Sequence, residues 1–101
     1  MSRFADKYVN DAELHKICHD NGIIYLALFG SSSRNDLGED SDIDLLYRLQ
    51  KGTTYFQFYD LIQTLKSYFG RDIDAVPIDH IRDSFRKAIA ADVEVLYEAK
   101  G

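Results

Sequence analysis

The sequence "GSSSRNDLGEDSDIDLL", residues 30–46, decides the fold because it links two apolar runs through a polar loop. The run before it, "IIYLALF" over residues 23–29, is apolar throughout, as expected for a strand that is covered on both faces. A second strand is predicted over residues 42–47, where the polar loop gives way to "DIDLLY". Two aspartates, Asp42 and Asp44, therefore stand at the start of a strand in the core sheet.

These two aspartates share one face of the predicted strand, because successive side chains of a strand point to opposite sides. Ile43 and Leu45 occupy the other face, towards the core. Two neighbouring carboxylates repel each other unless they are protonated, solvated or neutralised by a cation. Oxygen ligands of this kind suit Mg²⁺ or Mn²⁺ and not zinc. The pattern therefore favours a divalent metal site, with solvated strand-end carboxylates as the alternative.

A third carboxylate comes from "DIDAVPI", residues 72–78, which is predicted to be a third strand whose far end, at Pro77, is an edge or an exit. If this strand pairs beside the second, Asp74 completes a triad. Three carboxylates can hold two metal ions roughly 4 Å apart, an arrangement suited to phosphoryl transfer. Asp72 lies on the same face and competes for this role, but it follows a Gly-Arg pair and is expected at the loop edge. We favour Asp74.

The Gly-Ser turn at the start of the stretch has the features of a phosphate site. Gly30 lets the backbone approach a phosphate closely, and Ser31 adds a hydroxyl donor. A short helix predicted over residues 32–36 offers free N–H groups and a positive dipole end to an anion. Arg34 can grip a phosphate through two hydrogen bonds, or can instead pair with the acidic loop that follows.

The remaining elements are predicted from apolar periodicity. One helix is expected over residues 5–20 and a second, capped by Thr53, as far as Phe69. From Asp79 onward the pattern is helical again and finishes in "ADVEVLYE", residues 91–98. The resulting order αβαβαβα predicts an α/β (α+β) fold in which helices pack against a small mixed sheet, with residues 1–101 forming a single domain.

Composition bounds the classes of function. The chain has 101 residues and a formal net charge of −5, which argues against direct nucleic-acid binding, since such binding relies on Lys and Arg. No stretch is long and apolar enough to span a bilayer, and the first residues lack the apolar core of a signal peptide. A single cysteine, Cys18, cannot form a disulfide framework. We therefore expect a cytoplasmic protein with no membrane partner.

Two residue clusters have competing interpretations. His15, Cys18 and His19 have a helical spacing that can hold a metal, but Cys18 lies on the apolar stripe and no fourth ligand is evident, so zinc is not expected. A group of four aromatic residues, comprising Tyr55, Phe56, Phe58 and Tyr59, exceeds what one core stripe needs. The surplus is either core or a surface for a partner.

The motifs together resemble the minimal nucleotidyltransferase family within the DNA polymerase β-like nucleotidyltransferase superfamily. The matching residues of the first motif are Gly30, Ser31, Arg34, Ser41, Asp42, Asp44 and Leu45. "GRDIDAV", residues 70–76, resembles the strand that carries the family's third aspartate, and "ADVEVLYE" resembles its closing helix. One departure is Asn35, where many relatives carry glycine; it removes no metal ligand.

This resemblance implies transfer of a nucleoside monophosphate from an NTP, ATP in this branch, to an acceptor hydroxyl with release of pyrophosphate. It implies that Asp42 and Asp44 bind two Mg²⁺ ions (Mn²⁺ being possible), while Asp74 binds the catalytic ion and helps to deprotonate the acceptor. Ser31 and the turn backbone hold the β and γ phosphates. With Gly30, Arg34 and Ser41 they form the nucleotide-binding set.

Relatives of this kind pair with HEPN-domain toxins as antitoxins and attach AMP to a toxin tyrosine. The resemblance thus implies a HEPN-type partner and a hetero-oligomer. Two other functions remain open. One is neutralisation of the partner by binding and masking it, without catalysis. The other is modification of a small molecule, although enzymes of that type generally carry an extra domain for the acceptor.

Overall fold

The computed structural model of the chain describes residues 6–30, 42–89 and 92–99. Four helices and four strands lie in these ranges, in the order α1 (Asp6–Val9), α2 (Ala12–Asp20), β1 (Ile23–Leu28), β2 (Ile43–Leu49), α3 (Tyr55–Phe69), β3 (Ile73–Pro77), α4 (Asp83–Ile89) and β4 (Glu94–Glu98). A short 3-10 helix, Ile78–His80, follows β3. The helix predicted over residues 32–36 lies outside the described residues. No helix among the described residues has the length and apolar character that crossing a membrane requires.

The four strands form one mixed sheet in the order β3-β2-β1-β4. β1 runs antiparallel to both of its neighbours, whereas β2 and β3 are parallel. The pairing of the second and third strands, on which the position of the third carboxylate depends, is therefore present. β3 is an edge strand, which suits Pro77 because proline has no N–H to donate to a further strand.

The principal core fills the space between one face of the sheet and helices α2 and α3. Its largest fully buried side chains are Leu14 and Cys18 from α2, Leu26, Leu28, Ile43 and Leu45 from the strands, and Leu61 and Leu65 from α3. Leu46 is also fully buried, but it belongs to a smaller cluster on the opposite face with Ala27 and Phe29. Ile43 and Leu45 point into the principal core, as predicted. By alternation, Asp44 leaves the face opposite to α2 and α3.

Helix α3 is fixed at both ends by local hydrogen bonds. Thr54, and not Thr53 as predicted, is the N-cap: its hydroxyl accepts from the Gln57 N–H while the Gln57 side chain accepts from the Thr54 N–H. The Thr53 hydroxyl instead donates to the Gln50 carbonyl at 2.8 Å. Gly70 ends the helix in the left-handed conformation, with φ 69°.

The first predicted helix is divided into α1 and α2, which corrects the continuous helix expected over residues 5–20. Asp11 causes the break, because its extended backbone and its carboxylate, which accepts from the Glu13 N–H at 3.1 Å, make it the N-cap of α2. An aspartate in this position competes with the helix for backbone hydrogen bonds.

The segment predicted as a closing helix is strand β4, so the prediction for "ADVEVLYE" was wrong. β4 pairs with β1, with Glu94 opposite Leu28 and Glu98 opposite Tyr25. Its Leu96 is 2% exposed and joins the principal core. β-branched and aromatic residues fit this half-buried position, and pairing with a distant strand outweighs the local helix signal.

The three residues weighed as a zinc site have separate structural roles. Nε2 of His15 lies 2.8 Å from the Val9 carbonyl and 3.1 Å from the Leu96 carbonyl, so this nitrogen carries a hydrogen and ties the α1–α2 junction to β4. Cys18 is fully buried in the core, and His19 is exposed.

The exposure of neighbouring residues on α3 yields a stability prediction. Leu61→Ala should lower the free energy of unfolding by about 2–5 kcal/mol, because Leu61 is 1% exposed in the core. Phe56→Ala should change it by less than about 0.5 kcal/mol, because Phe56 is 85% exposed. Urea unfolding of both variants tests this. A comparable loss in the two would mean that Phe56 belongs to the core.

Two groups that stay protonated in the folded protein, the Cys18 thiol and the Tyr68 hydroxyl, yield a prediction for how stability depends on pH. Burial raises the pKa of the Cys18 thiol from 9.0 to about 12. Burial and the hydrogen bond that the Tyr68 hydroxyl donates to Asp11 raise the pKa of that tyrosine above its usual 10.0. Because both groups have a higher pKa folded than unfolded, the stability they contribute is complete below their ordinary pKa values and is lost as the pH rises above them.

The free energy of unfolding should therefore fall between pH 8 and pH 10.5. Tyr68→Phe should be less stable at pH 8 by about 1–3 kcal/mol, since it removes a hydrogen bond to a charged group, and should show a smaller fall with pH. Urea midpoints at the two pH values measure both effects. An equal pH dependence in the variant would contradict the assignment to Tyr68.

Candidate functional site

Asp44 and Asp74 lie side by side, because the parallel register of β2 and β3 pairs these two residues directly. Neighbouring strands are about 4.8 Å apart, so the carboxylates are adjacent on the face away from α2 and α3. Asp42 is exposed, one residue before β2 begins. Strand pairing thus brings together two of the three predicted carboxylates. The third, that of Asp42, lies just before the start of β2.

The three carboxylates influence one another electrostatically. The pKa of Asp44 is raised above its usual value, first by burial of its side chain, then by the negative charge of Asp74 and then by that of Asp42. Like charges held close together disfavour ionisation of the most buried member. A cation at this position would remove that repulsion, so the electrostatics fit a site for a positive ion.

Gly30 lies directly against this carboxylate at the end of β1. The N–H of Phe29 donates to the Asp44 carbonyl at 3.1 Å. Gly30 then turns the chain with φ 62°, and a Cβ added to it would lie 3.1 Å from Asp44 Oδ2. Glycine was predicted here for close approach to a phosphate. In the structure it also gives space to the Asp44 carboxylate, and any side chain would press on that oxygen.

Asp72, the competitor for the third position, takes part in a different set of contacts. It precedes β3, and its carbonyl accepts from the Ile43 N–H at 2.9 Å. Its carboxylate is 78% exposed and lies 3.9 Å from Lys66 Nζ at the end of α3. Asp74, which is level with Asp44, is therefore better placed to act with it.

Three predicted site residues, Ser31, Arg34 and Ser41, lie outside the described residues. In the described ranges, no group of three Asp, Glu, His or Cys side chains has by itself the arrangement of a metal site. Mg²⁺ usually binds through one or two carboxylates together with substrate phosphates and not in an all-protein cage. Asp44 and Asp74 supply hard oxygen donors of the required type.

An aromatic wall beside the carboxylates was not identified from the sequence. Phe29, hydrogen-bonded through its backbone to Asp44, is 8% exposed and joins Ala27 and Leu46 in the second apolar cluster. The Phe85 ring of α4 meets the Phe29 ring edge-on, with centroids 6.0 Å apart. The signal was present in the continuous apolar run of β1, which requires a cover on both faces.

Comparison of the sequence with known proteins places it in one family. Residues 12–101 match the family described as polymerase beta, nucleotidyltransferase. A protein of Methanocaldococcus jannaschii assigned as a protein adenylyltransferase is 33% identical over 67% of this chain and 70% of its own length. The protein adenylyltransferase MntA of Thermococcus cleftensis is 26% identical over 71% of this chain and 73% of its own length.

Solved structures share the fold. A minimal nucleotidyltransferase has a TM-score of 0.75 at 22% identity, covering 92% of this chain and 95% of its own. A toxin–antitoxin complex with AMP-PNP has a TM-score of 0.68 at 22% identity, covering 90% of this chain and 75% of its own. A complex of a tri-AMPylated HEPN toxin with its MNT antitoxin, from Shewanella oneidensis, has a TM-score of 0.62 at 21% identity, covering 94% and 73%.

The family match covers nearly all of the described residues, including the two strands that carry the adjacent carboxylates. The 33% identical relative independently spans two thirds of the chain. The predicted resemblance is thereby confirmed at the level of the family, and the chain belongs to the polymerase β nucleotidyltransferase family.

Proposed function

We propose that this nucleotidyltransferase transfers AMP from ATP to a tyrosine hydroxyl of a HEPN-type toxin. By this modification it acts as the antitoxin of that toxin in the cytoplasm. The observation that carries the proposal is the direct pairing of Asp44 with Asp74 beside the Gly30 turn. Relatives named protein adenylyltransferase, and a related antitoxin solved with an AMPylated HEPN toxin, support the choice of nucleotide and of partner.

In this proposal Asp42, Asp44 and Asp74 hold two Mg²⁺ ions, for which Mn²⁺ could substitute. When bound, the ions would neutralise charge on the attacked phosphate and on the leaving pyrophosphate. The phosphates themselves are held by the turn backbone at Gly30 and by Ser31, Arg34 and Ser41, which are the predicted nucleotide-binding residues.

The chain's own residues then handle the proton and the geometry. Asp74, on the edge strand β3, takes the proton of the acceptor hydroxyl, since its exposed carboxylate can be reached by an incoming protein. The acceptor oxygen forms a bond to the α phosphorus while the bond from that phosphorus to pyrophosphate breaks. The Gly30 turn would position the triphosphate, and Asp44 would position the ion that neutralises the α phosphate, for this in-line displacement.

A second candidate function is neutralisation by binding alone. Large exposed aromatic side chains at the start of α3 favour it, because they offer a surface for a partner that does not involve the carboxylates. The partner and the hetero-oligomer are common to both functions, and only the first requires chemistry.

Labelled ATP separates the two functions. With Mg²⁺ and the protein encoded beside this one, label at the α phosphate should pass to the partner, whereas label at the γ phosphate should not. Asp42→Asn with Asp44→Asn should reduce transfer at least about a thousandfold. If the double variant protects cells as well as the wild type does, and no label is transferred, the protein is instead a binding antitoxin.

The same double variant provides a control for folding. Burial and the negative charges of Asp74 and Asp42 raise the pKa of Asp44, so its ionised form opposes folding at pH 7. The variant should therefore melt at the same temperature as the wild type or at a higher one. A large fall in melting temperature would mean that these aspartates have a structural role.

Close approach at Gly30 yields a further prediction. Gly30→Ala should lower AMP transfer by at least about tenfold, because the new Cβ would lie 3.1 Å from Asp44 Oδ2 and displace it. Gly52→Ala is the matched control: its φ of 89° imposes comparable backbone strain, but nothing lies within 4 Å of the added Cβ. Transfer rates at equal folded fractions measure the effect. Equal rates in the two variants would exclude a role for the contact.

A further inference from the structure

The first two turns of α3 expose three large aromatic side chains. Tyr55 is 92% exposed, Phe56 is 85% exposed and Tyr59 is 64% exposed; together they form what we term the α3 aromatic patch. The exposure does not come from a fraying helix end, because the reciprocal hydrogen bonds between Thr54 and Gln57 fix this terminus. Phe58, by contrast, turns inward to pack 5.1 Å from the Tyr47 ring.

A cleft of about 440 Å³ adjoins the patch, between the start of α3 and the far ends of β2 and β3. Tyr47, Leu49, Phe58 and Pro77 give it apolar walls, and Tyr55 belongs to both the cleft and the patch. The patch therefore borders a concave surface with apolar walls and with polar groups from Arg48, Asp79 and His80, which could receive a partner's side chain in return.

The area of this surface suits a protein partner. Each large aromatic side chain can bury about 150–250 Å², so three of them offer about 500 Å². A standard interface buries about 800 Å² on each partner, and an apolar patch of about 300–600 Å² on a monomer is often functional. The patch and its cleft thus supply most of the apolar centre that a stable interface needs.

The patch is separate from the carboxylates. Asp44 and Leu49 are five residues apart along β2, or about 16 Å, and α3 covers the face opposite to that of Asp44. A partner seated on the patch would leave the Gly30 turn and the Asp44 carboxylate open to a nucleotide. The geometry therefore allows one surface to hold the partner while another performs the transfer.

Charge favours a basic partner over a second copy of this chain. The net charge of −5 would attract a positively charged protein and would make two copies repel each other. Beside the patch, the Arg48 guanidinium is engaged with the Asp79 carboxylate through three hydrogen bonds of 2.7–3.2 Å. Asp60, one turn after Phe56, lines a neighbouring groove together with Lys51. Because Asp79 is already engaged with Arg48, the attraction for a basic partner comes from the net charge of the chain.

We propose that the α3 aromatic patch anchors the protein that carries the acceptor hydroxyl, by inserting Phe56 and Tyr59 into an apolar face of a basic partner. This inference rests on the proposed function in that the acceptor belongs to a protein. It adds that binding and catalysis use different surfaces, so each can be lost without the other.

The test uses Phe56→Ala with Tyr59→Ala, and Gln63→Ala as an exposed control on the same helix. The probe is the purified protein encoded beside this one. Titration calorimetry should show a dissociation constant at least about thirtyfold higher for the patch variant and unchanged for the control. Transfer of α-labelled AMP should show a raised KM for the partner with unchanged kcat, and raised salt should slow association of the wild type. Circular dichroism should show both variants folded.

These outcomes test the role of the α3 aromatic patch as an anchor separately from the enzymatic function. Unchanged affinity in a folded patch variant overturns the anchor, even if label is transferred normally. Binding that depends on the patch, without any transfer of label by the wild type, supports the anchor and overturns the enzymatic function. A wild-type dimer in sedimentation that the patch variant converts to monomer makes a second copy the occupant, and so overturns the proposal. Failure of the wild type to bind the probe also overturns it.

Discussion

The parallel pairing of β2 with β3 is the constraint on which the site depends, because it sets two negative charges in register on adjacent strands. Repulsion between Asp44 and Asp74 opposes this register, and burial of Asp44 adds to the cost. The opposite faces of the same strands outweigh it: Ile43 and Leu45 are fully buried against α2 and α3. A one-residue slip would exchange these faces, placing the carboxylates in the core. The hydrophobic core thus holds the charges where a cation can use them.

The site and the fold differ in how far the sequence determines them. The alternation of polar and apolar residues in "DIDLL" was sufficient to assign Asp44 and Ile43 to opposite faces of β2. A short apolar run that ends in Pro77 identified β3 and its place at the edge of the sheet. The pairing of β3 with β2 was only a condition in the sequence argument, because register between distant strands depends on packing. β4 was missed for the same reason: alanines and glutamates favour a helix locally, while the partner strand β1 lies far away in sequence. Asp11 divided the first helix through a side-chain bond that periodicity does not register.

The two faces of the sheet have different tasks. The face towards α2 and α3 is filled by aliphatic side chains and supplies the stability of the domain. In the described ranges, the other face carries the small cluster of Ala27, Phe29 and Leu46, with the carboxylates of Asp44 and Asp74 beside it. A chain of 101 residues has room for one large core. The second face of the sheet is therefore the one that serves the chemistry.

Strand order has a consequence for how the molecule comes into being. β1 lies inside the finished sheet, yet one of its two neighbours, β4, is synthesised after the other three described strands. Until residues 94–98 emerge, one side of β1 presents unpaired N–H and C=O groups along an apolar segment. Such an edge can template pairing with other chains. The His15 contact with the Leu96 carbonyl then joins the early helices to this late strand. Protection of the nascent chain from aggregation thus depends on whatever covers β1 before β4 arrives.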